Sequence, residues 1–287
     1  MERKKKKNDT LLTKKRRQEP PSELATTPPT AISTHKKTKQ KENTSLTNQG
    51  YIILPQDKKT SFLITFLKKH QNSKIIISLT LPKLVTFYQL LLPNFHIANI
   101  FSESEFTSFT KAQFGVLLLS SELTALNQAL PLCDWFILYE PTLTKQEYNA
   151  HLPLERSRNY AGTKVMVLVF ENEKEVLNGE LKFLKKFGFN EKQVFREEER
   201  ICKYVTKKEH AIYIAAYDAY RAYIFDYAKR ANKEVFDVKA IDEESVCKNF
   251  GFETPLYVDL TLTLPLEEQI ALAKKNKGLK RFHISDK

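Results

Sequence analysis

From about residue 51 onward, apolar and polar positions fall into blocks with two different periods. Short, uniformly apolar runs stand at Tyr51–Leu54, Ile75–Ile77, Val116–Leu119, Trp135–Leu138 and Val165–Val169, with a weaker one over Phe95–Ile100. Each has the length of a strand, and none alternates. Strands that are apolar on both faces belong to a parallel sheet covered on both sides. Between them, Lys58–His70 places Phe62, Phe66 and Leu67 on one helical side, and Val85–Leu92 reads as a second helix. The pattern predicts a doubly wound α/β domain, with a mostly parallel sheet, running to about residue 190.

The character then changes. Glu197–Ala231 keeps a helical spacing and is dense in aromatics: Tyr204, Tyr213, Tyr217, Tyr220, Tyr223, Phe225 and Tyr227. Tyr213, Tyr217 and Tyr220, at i, i+4 and i+7, predict a stripe along one face of a long helix. Such a stripe packs onto a neighbouring domain more often than it stacks nucleic-acid bases. Residues 264–287 read as a short helix and a Lys-rich tail. The first 45 residues show neither period. They are rich in Lys, Thr, Pro, Ser and Gln, contain no aromatic residue, and are expected to be disordered.

Charge sharpens this division. The 287 residues hold 46 Lys+Arg and 34 Asp+Glu, a net charge of +12. Residues 1–45 carry 13 Lys/Arg against five Asp/Glu, and the remainder 33 against 29. The basicity therefore sits mostly on the arm, which suits steering toward a polyanion, and not on the body. Arg3–Lys7 and Lys14-Lys15-Arg16-Arg17 have the spacing of a bipartite nuclear localisation signal. The basic residues Lys4, Lys5, Lys6, Lys7, Lys14, Lys15, Arg16 and Arg17 are candidate RNA contacts.

Other chemistries find little support. Glycine occurs only 7 times, and neither G-x-x-x-x-G-K-[ST] nor G-x-G-x-x-G is present, so both standard phosphate cradles are missing. No apolar run reaches the roughly 18–20 residues that span a bilayer, so no membrane partner is expected. Cys133, Cys202 and Cys247 are far apart, which suits a reducing compartment, and they form no zinc-ligand spacing with the six histidines. Cys133, beside an apolar run, reads as a small buried hydrophobe.

Several segments resemble the C-terminal RecA-like lobe of DEAD-box RNA helicases. LTNQGYIILPQDKKTSFLITF (Leu46–Phe66) resembles the opening of that lobe, and KIIISLT (Lys74–Thr80) its motif IV, a strand ending in a hydroxyl residue. Gly115–Pro141 resembles the motif V strand followed by the segment P-x-V-D-W-V-I-x-Y-D-P-P, with Asp134-Trp135, Tyr139 and Pro141 in place. Glu147-Tyr148 match the E-Y before motif VI. Ala216–Leu260 is similar to an extension that follows the helicase core, through Phe236-Asp237-Val238, Ile241-Asp242, Val246, Phe250-Gly251-Phe252, Pro255 and Val258-Asp259-Leu260. The resemblance covers roughly residues 46–262 and points to the nucleolar subgroup acting on large-subunit ribosome precursors.

It implies a basic tail at 1–45, a RecA-like lobe at 46–192, a helical extension at 193–262 and a tail at 263–287. The family uses ATP and magnesium, but the phosphate loop and D-E-A-D motif of its first lobe are absent from this chain. None of these cofactors is therefore expected to be held here. The family pattern H-R-x-G-R-x-x-R falls on Ala150–Ser157, which puts Leu154 and Ser157 at the two arginine positions; Arg156 and Arg158 are out of register. Losing such an arginine costs roughly 10³–10⁵ in rate. In motif V, Leu126 and Ala129 replace the arginine and the aspartate. Thr80 and Ser121 keep hydroxyls able to donate to an RNA phosphate. The resemblance thus implies a catalytically eroded, nuclear or nucleolar factor that binds pre-ribosomal RNA and assembly proteins. Two alternatives stay open: the C-terminal half of a split helicase, or a protein adaptor without RNA contact.

Overall fold

The structure, a computed structural model, describes residues 48–99, 102–120, 130–152, 162–188, 195–207 and 210–260. Among them, seven strands form one sheet: β1 (Gln49–Leu54), β2 (Lys74–Leu79), β3 (Ile97–Asn99), β4 (Gly115–Ser120), β5 (Trp135–Leu138), β6 (Lys164–Phe170) and β7 (Lys185–Lys186). Their order is β3-β4-β2-β5-β6-β1-β7, and every pairing is parallel. Ile75, Ile76 and Ile77 of β2 and Val165 through Val169 of β6 are all buried, so both faces are covered. Each such aliphatic residue contributes roughly 1.5–3 kcal/mol by leaving water. The all-apolar runs report this double burial directly.

Helices α1 (Lys59–Lys69), α2 (Pro82–Leu91), α3 (Glu103–Lys111) and α4 (Lys145–His151) lie in the connections. The first two match the predicted amphipathic segments. The other two bury little: only Phe109 of α3 and Tyr148 of α4 are fully buried. Local caps hold them instead. Ser102 accepts from the Glu105 N–H, and Thr144 and Glu147 form a capping box. The two-residue edge strand β7, Lys185–Lys186, carries no apolar signal either.

The predicted long Tyr-rich helix is two helices, α5 (Phe195–Lys207) and α6 (His210–Lys229). Nor is the predicted stripe the buried one. Tyr213 is 40% exposed and Tyr217 half-buried, whereas Tyr220, Tyr223 and Tyr227 are buried with Ala216 and Ala219. Helix α6 packs against α2, and its buried face runs through Ala216, Ala219, Tyr223 and Tyr227. Packing, and not base stacking, is the role of those buried rings. Beyond α6, a short 3₁₀ turn (Val238–Ala240) and α7 (Glu243–Lys248) lead to Phe250. The Phe250 ring sits 5.6 Å from Phe87 of α2 and 5.6 Å from Tyr220 of α6.

Polar contacts tie the same seam. The Thr60 N–H, in the first turn of α1, donates to Asn249 Oδ1 at 3.0 Å across 189 positions of sequence. Lys58, which precedes α1, gives no side-chain cap, so Asn249 satisfies one of the helix's open donors. Asn249 also donates to the Gln56 carbonyl. Gln56 Nε2 reaches Asn172 at 3.0 Å and the Ala240 carbonyl at 3.1 Å, and its Oε1 accepts from the Asp242 N–H at 2.8 Å. Lys58 pairs with Glu198, and Lys68 with Glu197 at 2.7 Å.

Candidate nucleic-acid interface

Strands β2 and β5 are parallel neighbours in register, with Ser78 opposite Leu138. Both therefore leave the sheet at one edge, its carboxyl edge, where open α/β sheets place their ligands. Thr80 follows β2 and Glu140 follows β5. The Thr80 N–H donates to Glu140 Oε2 at 3.2 Å, and the Tyr139 N–H donates to the Ser78 carbonyl at 3.0 Å. The strand ends are thus stitched by one side chain and one main-chain bond. Leu79 and Ser120, which precede Thr80 and Ser121 in the chain, are likewise register partners.

Above this edge lies a cleft of about 330 Å³. The lobe contributes Ser78, Thr80 and Glu140, and the extension contributes Asp226, Arg230 and Phe236. Arg230 lies mostly out of solvent. Its guanidinium pairs with Asp226 at 3.2 Å and stacks 4.7 Å from the Phe236 ring centroid. Glu140 is 5% exposed, and its Oε1 has no hydrogen-bond partner among the described residues. Burial pushes the Glu140 carboxyl up to about 7, against the opposing pull of Arg230 and Lys59.

Lys59 is the second unusual charge. It is fully buried, with its Nζ 3.8 Å from the Phe170 ring centroid and without a hydrogen-bond partner among the described residues. Burial holds its pKa below the ordinary lysine value, while Glu173 and Glu140 oppose that shift. A buried hydroxyl ladder runs beside it, from Thr60 to Tyr88 at 2.7 Å and from Tyr88 to Tyr139 at 2.6 Å. Glu140 ties down the turn that carries Thr80, and the Arg230 guanidinium of the extension lines the same cleft.

Thr80 is the one predicted site residue within the described residues; it lies half-buried at this cleft, with its hydroxyl oxygen turned out of solvent. Ser121, Leu126, Ala129, Leu154 and Ser157 lie outside them, as do Lys4, Lys5, Lys6, Lys7, Lys14, Lys15, Arg16 and Arg17. Other motif residues have structural roles. Asp134 Oδ2 accepts the Lys74 N–H at 2.7 Å, and its carbonyl accepts the Lys164 N–H at 2.9 Å, which aligns β2, β5 and β6 at the opposite edge. Trp135 packs edge-on against Phe66 at 5.0 Å, and Tyr148 is buried, donating to Gln49 at 3.1 Å. Cys133 is buried, and burial raises its thiol to about 12. Sequence reasoning missed Glu140, Arg230 and Lys59. An acid at the aspartate position of the Y-D-P-P segment was the available signal for Glu140; nothing local marked the other two.

Comparison with known proteins places these features in context. A family model described as the C-terminal extension of SPB4-like ATP-dependent rRNA helicases matches residues 209–255. A probable ATP-dependent RNA helicase ddx18 from Dictyostelium discoideum is 31% identical over 246 residues, covering 80% of this chain and 40% of its own length. The ATP-dependent RNA helicase HAS1 of Saccharomyces cerevisiae is 27% identical over 75% of this chain and 44% of its own length. The chain thus spans about two fifths of the relatives it matches. Among solved structures, Mss116p (NTE and C-tail double deletion) bound to ssRNA and AMP-PNP superposes with a TM-score of 0.57 at 14% identity, over 80% of this chain and 48% of that one. At that identity the likeness concerns the fold.

Proposed function

The chain has the C-terminal RecA-like lobe and C-terminal extension of the DEAD-box RNA helicase family; from that premise we propose that it is a non-catalytic, RNA-binding scaffold factor in rRNA processing and large-subunit assembly. The observation that carries this reading is a contrast. The sheet core, the carboxyl-edge cleft and the seam to the extension are intact, while Leu126, Ala129, Leu154 and Ser157 stand where the family's nucleotide-facing residues belong. Packing and backbone anchoring survive loss of the arginines; stabilisation of a transferring phosphoryl group does not. RNA is held along the sheet edge that carries Thr80 and Ser121, and the arm, through Lys4–Lys7 and Lys14–Arg17, adds non-specific contacts and nuclear, nucleolar targeting. Pre-ribosomal assembly proteins are the expected protein partners.

The test is RNA affinity of the purified chain across salt, beside ATP turnover with and without RNA. Affinity should fall steeply with salt, by counterion release, and turnover should stay at background. Turnover that depends on Arg156 or Arg158 would overturn the non-catalytic reading. In a second reading, an ATP-binding lobe is supplied on another polypeptide. Reconstitution with such a lobe separates the two, and absence of RNA binding at low salt would favour the adaptor.

A further inference from the structure

We propose that Arg230 and Glu140 form a positioning relay through which the C-terminal extension sets the RNA-facing turn at Thr80. The relay rests on the reading of that turn as an RNA contact. Its members line one cleft, where Arg230 acts on Glu140 through its charge and without a direct hydrogen bond. Arg230 comes from α6 of the extension, lines the cleft with Glu140, and is itself steadied by Asp226 at 3.2 Å and the Phe236 ring at 4.7 Å. Glu140 in turn holds the Thr80 N–H at 3.2 Å. Its other oxygen is buried and has no hydrogen-bond partner among the described residues, leaving it open to the guanidinium's field. A charge-assisted bond to an N–H is stronger than a neutral one. An ionised Glu140 therefore holds the turn more firmly than a protonated one.

The groups facing Glu140 are few. Arg230, Asp226 and Tyr223 come from α6, Lys59 from α1 and Tyr88 from α2; Tyr139 precedes it in the chain. Glu173, after β6, faces the same group through Lys59, and Glu147 and His151 of α4 line the cleft. The Glu140 carboxyl titrates at about 7, within the range a binding assay can scan.

The sign of the effect separates the relay from simple electrostatics. Acidification protonates carboxylates and histidines, which by charge alone tightens RNA binding. Removing an acid beside RNA does the same. The relay demands the reverse in both cases. Binding of labelled oligouridine by the full chain is measured at about pH 6 and about pH 8, for wild type, Glu140→Gln, Arg230→Met and the double variant. Wild type should bind roughly fivefold more tightly at the higher pH, the size expected for exchanging a neutral acceptor for a charged one in a single hydrogen bond. Glu140→Gln should sit at the weaker level at both pH values, and Arg230→Met should cost nothing further in the Glu140→Gln background.

Thermal melts run in parallel. Glu140→Gln should be at least as stable as wild type at the higher pH, so unfolding does not account for its loss of binding. If wild type binds but acidification or Glu140→Gln tightens binding or leaves it unchanged, the relay is wrong and the function stands. Arg230→Met losses equal in both backgrounds would also refute it, as direct contact of Arg230 with RNA. If Arg230→Met does not fold, the Glu140→Gln pH profile decides alone. If wild type binds no RNA at low salt, the functional reading falls and takes the relay with it.

Discussion

Phe250→Ala tests whether the extension and the lobe unfold together. The Phe250 side chain is 2% exposed and fills the junction of α2, α6 and the segment after α7. Its ring lies 5.6 Å from Phe87, 5.6 Å from Tyr220 and 5.9 Å from Tyr223, so one truncation empties a volume that both parts line. Burial this complete puts the cost of Phe→Ala at about 3–5 kcal/mol. For an ordered region of this size each kcal/mol moves Tm by about 2–4 °C. A fall of roughly 8–15 °C is expected, as a single transition followed by far- and near-ultraviolet circular dichroism. Tyr257→Ala, at a side chain 66% exposed, is the control and should stay within about 0.5 kcal/mol of wild type. A second transition in Phe250→Ala, with the upper midpoint unchanged, would show that the extension is an independent appendage. A shift indistinguishable from the control would show that the ring is not the keystone its contacts imply.

Three further outcomes are expected. Gly251→Ala should destabilise by about 2–5 kcal/mol, because Gly251 has φ +81° and an added Cβ would lie 2.6 Å from Val205 Cγ2; a Tm within error of wild type would contradict this. Asn249→Ala should cost about 2–3 kcal/mol, since it strips both the cap on the Thr60 N–H and a donor to the Gln56 carbonyl. Asn249→Asp should recover the cap but not the donor, and equal losses in both variants would refute that division. For Glu140, the native carboxyl titrates at about 7 against an ordinary 4.5, so the folded state binds the proton more tightly. Wild-type stability should therefore fall as pH rises through that window and level off above it. Glu140→Gln lacks the titration and should gain up to about 3 kcal/mol relative to wild type between pH 5 and pH 8. Parallel Tm–pH curves for the two proteins would exclude the raised carboxyl.

How much of this was legible depends on where each signal is stored. The strands were readable because a doubly covered parallel strand carries its own mark: Ile75-Ile76-Ile77 and Val165–Val169 are apolar at every position. Helix α3 was not, because its nine residues bury only Phe109 and depend on the Ser102 cap. The aromatic stripe on α6 was misplaced by weighting ring size over contact. The buried face of α6 includes Ala216 and Ala219, and small residues leave no trace in an aromatic count. Motif matching found the right segments yet did not distinguish roles within them. Asp134 and Tyr148 turn out to align strands and fill the core, whereas Glu140, one position past Tyr139, faces the cleft.

The seam explains why its charged members escaped notice. Lys59, Glu140, Glu173 and Arg230 are separated by 30 to 170 positions, to the nearest ten, and no local period relates them. Each reads alone as an ordinary surface charge; only the fold makes them buried neighbours. Buried charges of this kind are poor sources of stability, since well-packed apolar residues of the same shape often do as well or better. The raised Glu140 carboxyl says the same from the other side, because at neutral pH its ionisation works against folding. Stability alone therefore does not account for a carboxylate at this position. What it supplies that an apolar side chain would not is an acceptor for the Thr80 N–H and a counter-charge for Arg230. A group that costs stability while orienting the sheet edge nearest the extension is better understood through what binds at that edge than through the core beneath it.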